Sequence, residues 1–190
     1  MRHNSPDPDE RSTKRSNRRD RGAVMVEAAI VTPLVIFLFL GIFETGWLLK
    51  THLSVEQTTA YGARTAAIAG SDEDADVRIM DEIERRLVHG RSDIDRVVIY
   101  HAAAVDSVPP ASCLSGSTPG SVADECTIYE PDDFDSAAGS LTCAWCPADR
   151  GSDQLIGVWI KYDYRSITGI FGGTTLTNNT ILRIEYPVGT

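Results

Sequence analysis

The chain has 190 residues, 42% apolar and 24% charged, a composition that suits one modest globular domain with an accessory segment. Eighteen basic residues against 27 acidic ones give a net charge of −9, which argues against a nucleic-acid partner because binding phosphates requires a basic face. The scattered cysteines and histidines do not indicate a dense metal scaffold, and the spacing of the histidines suggests no Ser/His/Asp arrangement. We therefore predict no metal, no cofactor and no enzymatic activity.

Residues 1–22 form a basic leader with seven basic and four acidic residues. Residues 23–43 follow with 21 largely apolar residues, about 31 Å as a helix, enough to cross a hydrocarbon core about 30 Å thick. No small-x-small site follows them, which argues against a cleaved signal peptide. We predict a transmembrane helix over residues 23–49 in contact with membrane lipid. The positive-inside rule places the leader in the cytoplasm and residues 50–190 outside.

Glu27 lies inside the apolar segment, where a carboxylate costs on the order of 2–3 kcal/mol without a partner. It either snorkels or is protonated near the headgroups, or it awaits a positive charge in the bilayer. Cleavage after Gly22 would give Ala23 a new α-amino group. Glu27 of one subunit would then pair with the Ala23 amine of its neighbour, and low dielectric would strengthen the pair.

Residues 50–70 read as an extracytoplasmic continuation of the helix, and Gly70 is expected to end it. Pro33 is expected to kink the helix or loosen its hydrogen bonds inside the bilayer. Arg64 has two interpretations, a partner for a carboxylate of the C-terminal domain or a solvated helix charge. A stripe of mainly small residues is predicted to pack against a sheet or another helix: Leu53, Gln57, Ala60, Ala63 with Arg64, and Ala67.

Residues 71–190 read as an extracytoplasmic α+β domain. We predict a helix over residues 72–89, with Ser71 as its N-cap and Gly90 as its C-cap. Residues 96–105, 158–164 and 182–186 have strand patterns and predict a small antiparallel sheet with one buried face. Residues 166–179 read as a loop with a short helical or hairpin piece.

Residues 106–153 form an acidic loop that holds all four cysteines of the chain. Four cysteines allow three connectivities. Sequence proximity alone favours Cys113 with Cys126 and Cys143 with Cys146, which would staple the loop in an oxidising compartment.

Two alternatives for this loop involve chemistry. Cys143 and Cys146 form a CxxC pair, so a thiol–disulfide oxidoreductase is a remote alternative, although no βαβ pattern surrounds them. The acidic run at residues 132–135 suggests calcium. It lacks the glycine and closing glutamate of an EF-hand, which favours a solvated loop.

Residues 21–70 resemble the N-terminal region of TadE-like proteins, which are pseudopilins of tight-adherence (Tad/Flp) pilus assembly systems. The resemblance depends on the order and spacing of several features across fifty residues. They are Arg21-Gly22-Ala23, Glu27, Pro33, Gly41, Glu44 and Gly46, then Gly62-Ala63-Arg64 followed by Ala66-Ala67.

The resemblance implies a type IV prepilin-like processing site between Gly22 and Ala23, an assembly role for Glu27 and a structural role for Arg64. It also implies a long N-terminal helix and a pilin-like outer domain. The expected function is that of a minor pilin or pseudopilin in pilus assembly. Its expected partners are other pilin subunits, the prepilin peptidase and the Tad secretion machinery. An unprocessed single-pass anchor that presents a binding domain is the alternative.

Overall fold

The computed structural model describes residues 8–87, 93–115, 125–135, 142–169 and 172–185, with side chains described from residue 22 onward. Contacts divide the chain into two units, Met1–Gly46 and Trp47–Thr190. The first unit contains the apolar part of a long N-terminal helix. The second contains the rest of that helix and a small α+β domain, as the sequence predicts.

The N-terminal helix, α1, spans Pro8–Ala69 and continues through Pro33. It therefore begins within the predicted leader and not at Ala23. Gly70 follows its last residue, as predicted, with a φ of +51° in the left-handed region that favours glycine. The Gly70 N–H donates to the Ala66 carbonyl at 3.0 Å, which caps the last turn.

The face of α1 that packs on the domain differs from the predicted stripe. Ala63 and Ala67 are buried as predicted, but Leu53, Gln57, Ala60 and Arg64 are exposed. A hydropathy pattern misses the real face because it counts threonine as polar. Buried threonines on a helix satisfy their hydroxyls locally, as Thr59 does by donating to the Val55 carbonyl at 2.8 Å. The buried face comprises Val55, Thr58, Thr59, Gly62, Ala63, Ala66 and Ala67.

The second helix, α2, spans Ala75–Arg86 and starts later than predicted. Ser71 is not its N-cap, because Gly70 and the turn after it delay the first helical residue. Asp74 precedes the helix without a side-chain cap and instead accepts a hydrogen bond from Arg78 at 2.9 Å. Met80 and Ile83 of this helix and Leu87 directly after it are buried, and they form its apolar face. Gly90 lies outside the described residues.

The sheet has four antiparallel strands in the order β2-β1-β3-β4. They are β1 (Ile94–Ala102), β2 (Cys126–Tyr129), β3 (Leu155–Tyr164) and β4 (Thr174–Arg183). The register sets Val98 of β1 opposite Trp159 of β3, and Trp159 opposite Asn179 of β4. A small antiparallel sheet is therefore confirmed, with one strand more than predicted.

Three predictions about the strands need correction. Strand β1 ends at Ala102 and not at residue 105. Strand β2 lies inside the predicted acidic loop, where it pairs with β1. Strand β4 takes in residues 174–179 of the predicted loop at residues 166–179 and ends before Ile184, because hydrogen bonding to β3 outweighs its weak apolar pattern.

Both faces of the sheet are covered, which corrects the prediction of one buried face. One face packs on α1 and α2 through Val97, Ile99, Ile156, Val158 and Ile160. The opposite face holds Val98, Tyr100 and Ile128 together with Cys113 and Cys126. A short helix, α3 (Ala111–Ser115), lies beside β2, and the bond between Cys113 and Cys126 ties the two together. The second disulfide joins Cys143 to Cys146, so the favoured pairing agrees with the structure.

Candidate functional site

The apolar part of α1 is the first candidate site. Every side chain from residue 22 to residue 39 is exposed, including Leu34, Phe37 and Phe39. The helix segment Gly22–Ala69 contains an 18-residue window of mean hydropathy 2.5 with nothing buried. Among the described residues, this is the one helix long and apolar enough to cross a membrane. Since so much exposed apolar surface is unfavourable in water, the segment suits a single-pass membrane anchor.

Glu27 projects from this segment as an exposed carboxylate. Ala23 lies four residues earlier, so the two residues share one side of the helix. The peptide bond between Gly22 and Ala23 lies inside α1, and a side chain at Gly22 would meet nothing within 4 Å. Both sides of this bond are therefore sterically open, although the backbone around it is helical.

Polar groups gather where the apolar run ends. The Lys50 ammonium lies 4.5 Å from the centroid of the Trp47 ring, and Thr51 donates to the Trp47 carbonyl at 3.0 Å. An indole with a nearby ammonium suits a membrane–water interface. Glu44 is only 5% exposed, a burial that sequence reasoning does not foresee.

Arg64 lies on the exposed side of α1, beside a groove between that helix and strand β4. The groove has a volume of about 360 Å³ and is lined by Gln57, Ala60, Tyr61, Arg64, Thr180 and Leu182. Within the described part of the chain, no carboxylate lies within ion-pair distance of Arg64. The interpretation that Arg64 binds a carboxylate of its own domain therefore finds no support among these residues.

A buried ion pair forms the polar centre of the α+β domain. The Arg150 side chain is fully buried, and its Nη2 atom lies 2.6 Å from Oδ1 of Asp76. This contact is close in distance but poorly aligned as a hydrogen bond, since Asp76 Oδ1 lacks a well-oriented donor. The Tyr129 hydroxyl donates to the other Asp76 oxygen at 2.7 Å. Burial, followed by the negative charge of Asp76, raises the pKa of Tyr129 well above its ordinary value.

The same arginine connects this pair to the CxxC segment. Arg150 lies 4.9 Å from the centroid of the buried Trp145 ring and donates to the Trp145 carbonyl at 3.2 Å. Thr127 of β2 also bonds the Trp145 backbone, donating from Oγ1 to its carbonyl at 3.2 Å and accepting from its N–H at 3.1 Å. These contacts fix the segment between the two cysteines and support a structural role for the turn.

The CxxC pair lacks the setting of a thioredoxin-type site. Cys146 precedes a three-residue 3-10 helix, Pro147–Asp149, and not an α-helix whose dipole would lower a thiol pKa. The two cysteines are bonded to each other, and Trp145 between them is 2% exposed. The oxidoreductase alternative therefore has no structural support in the described residues.

The acidic run at residues 131–135 forms a short 3-10 helix. Asp133 accepts a hydrogen bond from the Glu130 N–H at 2.7 Å, so this carboxylate caps its own turn. Across the described ranges, no group of three or more His, Cys, Asp or Glu side chains could hold a metal ion.

One comparison with known proteins bears on this arrangement. Residues 22–64 match the family model described as TadE-like protein. The TadE-like segment begins at Gly22, contains Glu27 and Pro33, and ends at Arg64, so it coincides with the exposed apolar helix and its continuation. No curated protein and no solved structure matches the chain significantly.

The predicted site residues fall into separate places. Gly22, Ala23, Glu27 and Pro33 lie along the apolar part of α1, and Arg64 lies at the groove on the domain. Sequence reasoning did not foresee the pair formed by Asp76 and Arg150. Asp76 sits in an acidic first turn that resembles ordinary helix-dipole stabilisation, and Arg150 is distant in sequence. Only the folded domain, which brings Arg150 to one oxygen of Asp76 and the Tyr129 hydroxyl to the other, distinguishes this aspartate from its neighbours.

Proposed function

We propose that the chain is a non-enzymatic minor pilin or pseudopilin that takes part in Tad/Flp-type pilus assembly. The observation that carries the proposal is the coincidence of the TadE-like match with the helix that is able to span a membrane. Fold alone would not suffice, since a small α+β domain has no single function.

The proposed topology has the N-terminus in the cytoplasm and the α+β domain outside. Five basic residues of the leader lie within the nine positions before Gly22, whereas Lys50 and Arg64 follow the apolar segment at wider spacing. This asymmetry favours a cytoplasmic leader. Two disulfides in the domain suit an oxidising compartment outside the membrane.

The proposed mechanism begins with cleavage after Gly22 by a prepilin peptidase, which gives Ala23 a free α-amino group. Glu27 of an incoming subunit then pairs with this ammonium on its neighbour inside the bilayer. A lone carboxylate at this depth costs on the order of 2–3 kcal/mol, so pairing with a cation favours the assembled state. The Tad machinery then moves the assembled helices out of the membrane, since no phosphate-binding loop or motor motif is present in the sequence.

A static anchor is the second candidate, and one observation favours it. Helix α1 runs without interruption from Pro8 through Gly22 and Ala23, whereas a peptidase needs an accessible, locally extended bond. In this alternative the leader is retained, and the outer domain serves only as a tethered binding module.

Glu27→Gln separates the two candidates, because it removes the charge and keeps the size of the side chain. An assembling subunit carrying Glu27→Gln should remain in the membrane and be reduced at least tenfold in the sheared surface fraction. Glu56→Gln is the matched control, since Glu56 is an exposed carboxylate on the same helix within the TadE-like segment. Equal surface amounts of both variants would refute the assembly role of Glu27.

A further inference from the structure

Strand β4 is an open edge of the sheet. It has ten residues, lies at the end of the strand order and has no fully buried residue. Proteins usually blunt such edges with proline, bulges or inward charges. Strand β4 has no proline, its register with β3 has no bulge, and its one charged residue is Arg183.

The register identifies the backbone groups that face outward. The Ile184 N–H donates to the Gln154 carbonyl at 2.9 Å, and residues 154 and 184 are opposite each other in the register of β3 and β4. Hydrogen-bonded pairs recur at every second residue of an antiparallel ladder. The even-numbered residues of β4 therefore bond to β3. The odd-numbered residues turn their N–H and C=O away from it: Thr175, Thr177, Asn179, Ile181 and Arg183.

These outward groups have no backbone partner in the ranges that the structure describes, and the strand that carries them is held in position. Among the described residues, no backbone hydrogen bond is formed by the odd-numbered residues of β4. The next one, Glu185, donates its N–H to the Ala67 carbonyl at 3.0 Å, so α1 closes the edge at that end. The Asn179 side chain accepts from the Tyr100 hydroxyl and donates to the Ser107 carbonyl, both at 2.9 Å, which holds the middle of the strand in place.

A second copy of the chain does not fit this edge. Pairing β4 with β4 requires a two-fold axis normal to the sheet, so residues 47–69 of the two copies would run in opposite directions. Chains anchored in one bilayer, as under the proposed function, need these helices to run the same way. Pairing β4 with β2 is also blocked, because all four residues of β2 are buried. The occupant is therefore a strand from a different protein.

The charges around the β4 edge indicate which charges the partner strand should carry. Its residues opposite Thr180 and Leu182 would project into the groove beside Arg64, and its residue opposite Arg183 would lie on the other face. Both cations lie toward the C-terminal end of β4, but Arg183 already pairs with Asp153 at 3.5 Å, so Arg64 is the cation that a partner carboxylate would meet. At the other end, Thr175 donates to Asp163 at 2.9 Å, which places a carboxylate there. The fitting partner is thus acidic at one end and uncharged or basic at the other.

We propose that β4 binds an extended segment of a different subunit by strand addition, with a carboxylate of that segment on Arg64. Main-chain hydrogen bonds to the odd-numbered residues of β4 give the affinity, and the groove with Arg64 determines which residues of the partner segment lie opposite which residues of β4. Only the exclusion of a second copy rests on the proposed function.

Thr177→Pro tests strand addition, because it removes one outward N–H and leaves the bonds to β3 intact. Thr177→Val is the matched control, since valine keeps the N–H and favours strands. For the measurement, the full chain carries a photo-reactive residue in place of Thr180 and is expressed in native membranes that contain the assembly machinery. We expect an adduct with a different protein, reduced at least tenfold by Thr177→Pro and changed less than twofold by Thr177→Val.

Amide exchange gives a second measurement that needs no variant. In the detergent-solubilised chain, the odd-numbered amides of β4 should exchange at least tenfold faster than the even-numbered ones. In assembled material this alternation should disappear. An adduct with a second copy, no adduct, an adduct that Thr177→Pro leaves unchanged, or a persistent alternation would each overturn the proposal. The adduct should also form in the Glu27→Gln background, so loss of pilus incorporation and loss of strand addition are distinguishable.

Discussion

Asp76→Ala is expected to lower the free energy of unfolding of the α+β domain by about 3–5 kcal/mol, the usual cost of breaking a buried ion pair. Arg150 is fully buried, and in the described structure the carboxylate 2.6 Å away is its ion-pair partner. Without it, the guanidinium is left uncompensated, and Tyr129 loses the acceptor that its hydroxyl reaches at 2.7 Å. At about 3 °C per kcal/mol, the midpoint of thermal unfolding should fall by about 10 °C or more.

The assay is thermal and urea unfolding of the full chain in detergent, followed by near-ultraviolet dichroism, to which the buried Trp145 contributes. Asp81→Ala is the control, because Asp81 pairs with Arg85 at 3.7 Å with both side chains 68% exposed, and should cost under about 0.5 kcal/mol. Replacing Asp76 and Arg150 together by Leu and Met should recover most of the loss. An Asp76→Ala variant within about 1 kcal/mol of the Asp81→Ala control would show that the buried pair does not stabilise the domain as stated.

Three further predictions concern the same domain and use the same unfolding assay. Gly157→Ala should lower the free energy of unfolding by about 3 kcal/mol or more, because the new Cβ would lie 2.3 Å from the buried Tyr100 ring. Gly172→Ala is the control and should be neutral, because its Cβ would meet nothing within 4 Å. Equal effects of the two substitutions would contradict the packing around Gly157. Cys113→Ser should cost about 2–4 kcal/mol, and Cys143→Ser less because its bond closes a shorter loop; the reverse order would contradict this. The unfolding free energy should be unaffected by tyrosine ionisation below pH about 10. Above pH about 10, each tyrosine that stays protonated only in the folded state should lower the free energy of unfolding by about 1.4 kcal/mol per pH unit, and Tyr129 is such a residue because burial raises its pKa. Tyr129→Phe should therefore reduce the slope of the unfolding free energy against pH, and an unchanged slope would contradict this prediction.

The elements that depend on local sequence patterns were predictable. The apolar run at residues 23–43 indicates a membrane-spanning helix because the length and hydropathy of the segment are enough to identify it, without any tertiary contact. Gly70 ends that helix because its backbone has a positive φ, a left-handed conformation that favours glycine. The alternation in β3 predicts a strand, which the structure has at Leu155–Tyr164.

The features that sequence reasoning missed depend on tertiary contacts. Strand β4 has a weak apolar pattern of threonines and asparagines, and becomes a strand because β3 offers it a ladder of hydrogen bonds. Strand β2 is four residues long and pairs with β1, and its first residue, Cys126, is bonded to Cys113 of α3, so neither contact is local in sequence. The buried threonines of α1 carry no apolar signal because threonine counts as polar, although Thr51 and Thr59 satisfy their hydroxyls on carbonyls of the helix itself.

The candidate assembly site was predictable only in its parts. Glu27 is conspicuous because a carboxylate inside an apolar run is costly, and the TadE-like match includes it. The open edge of β4 was not predictable, because it depends on which strand ends the sheet and which backbone groups face outward. Both follow from the register of the folded chain.

The most direct test of the proposed assembly role is the intact mass and N-terminal residue of the protein from its native membrane, with the cognate peptidase present. Our account predicts a species that begins at Ala23, with the leader removed after Gly22. Cells that lack the peptidase should yield the uncleaved chain and serve as the control. A species that retains residues 1–22 in the presence of the peptidase would contradict processing and establish a permanent anchor in its place.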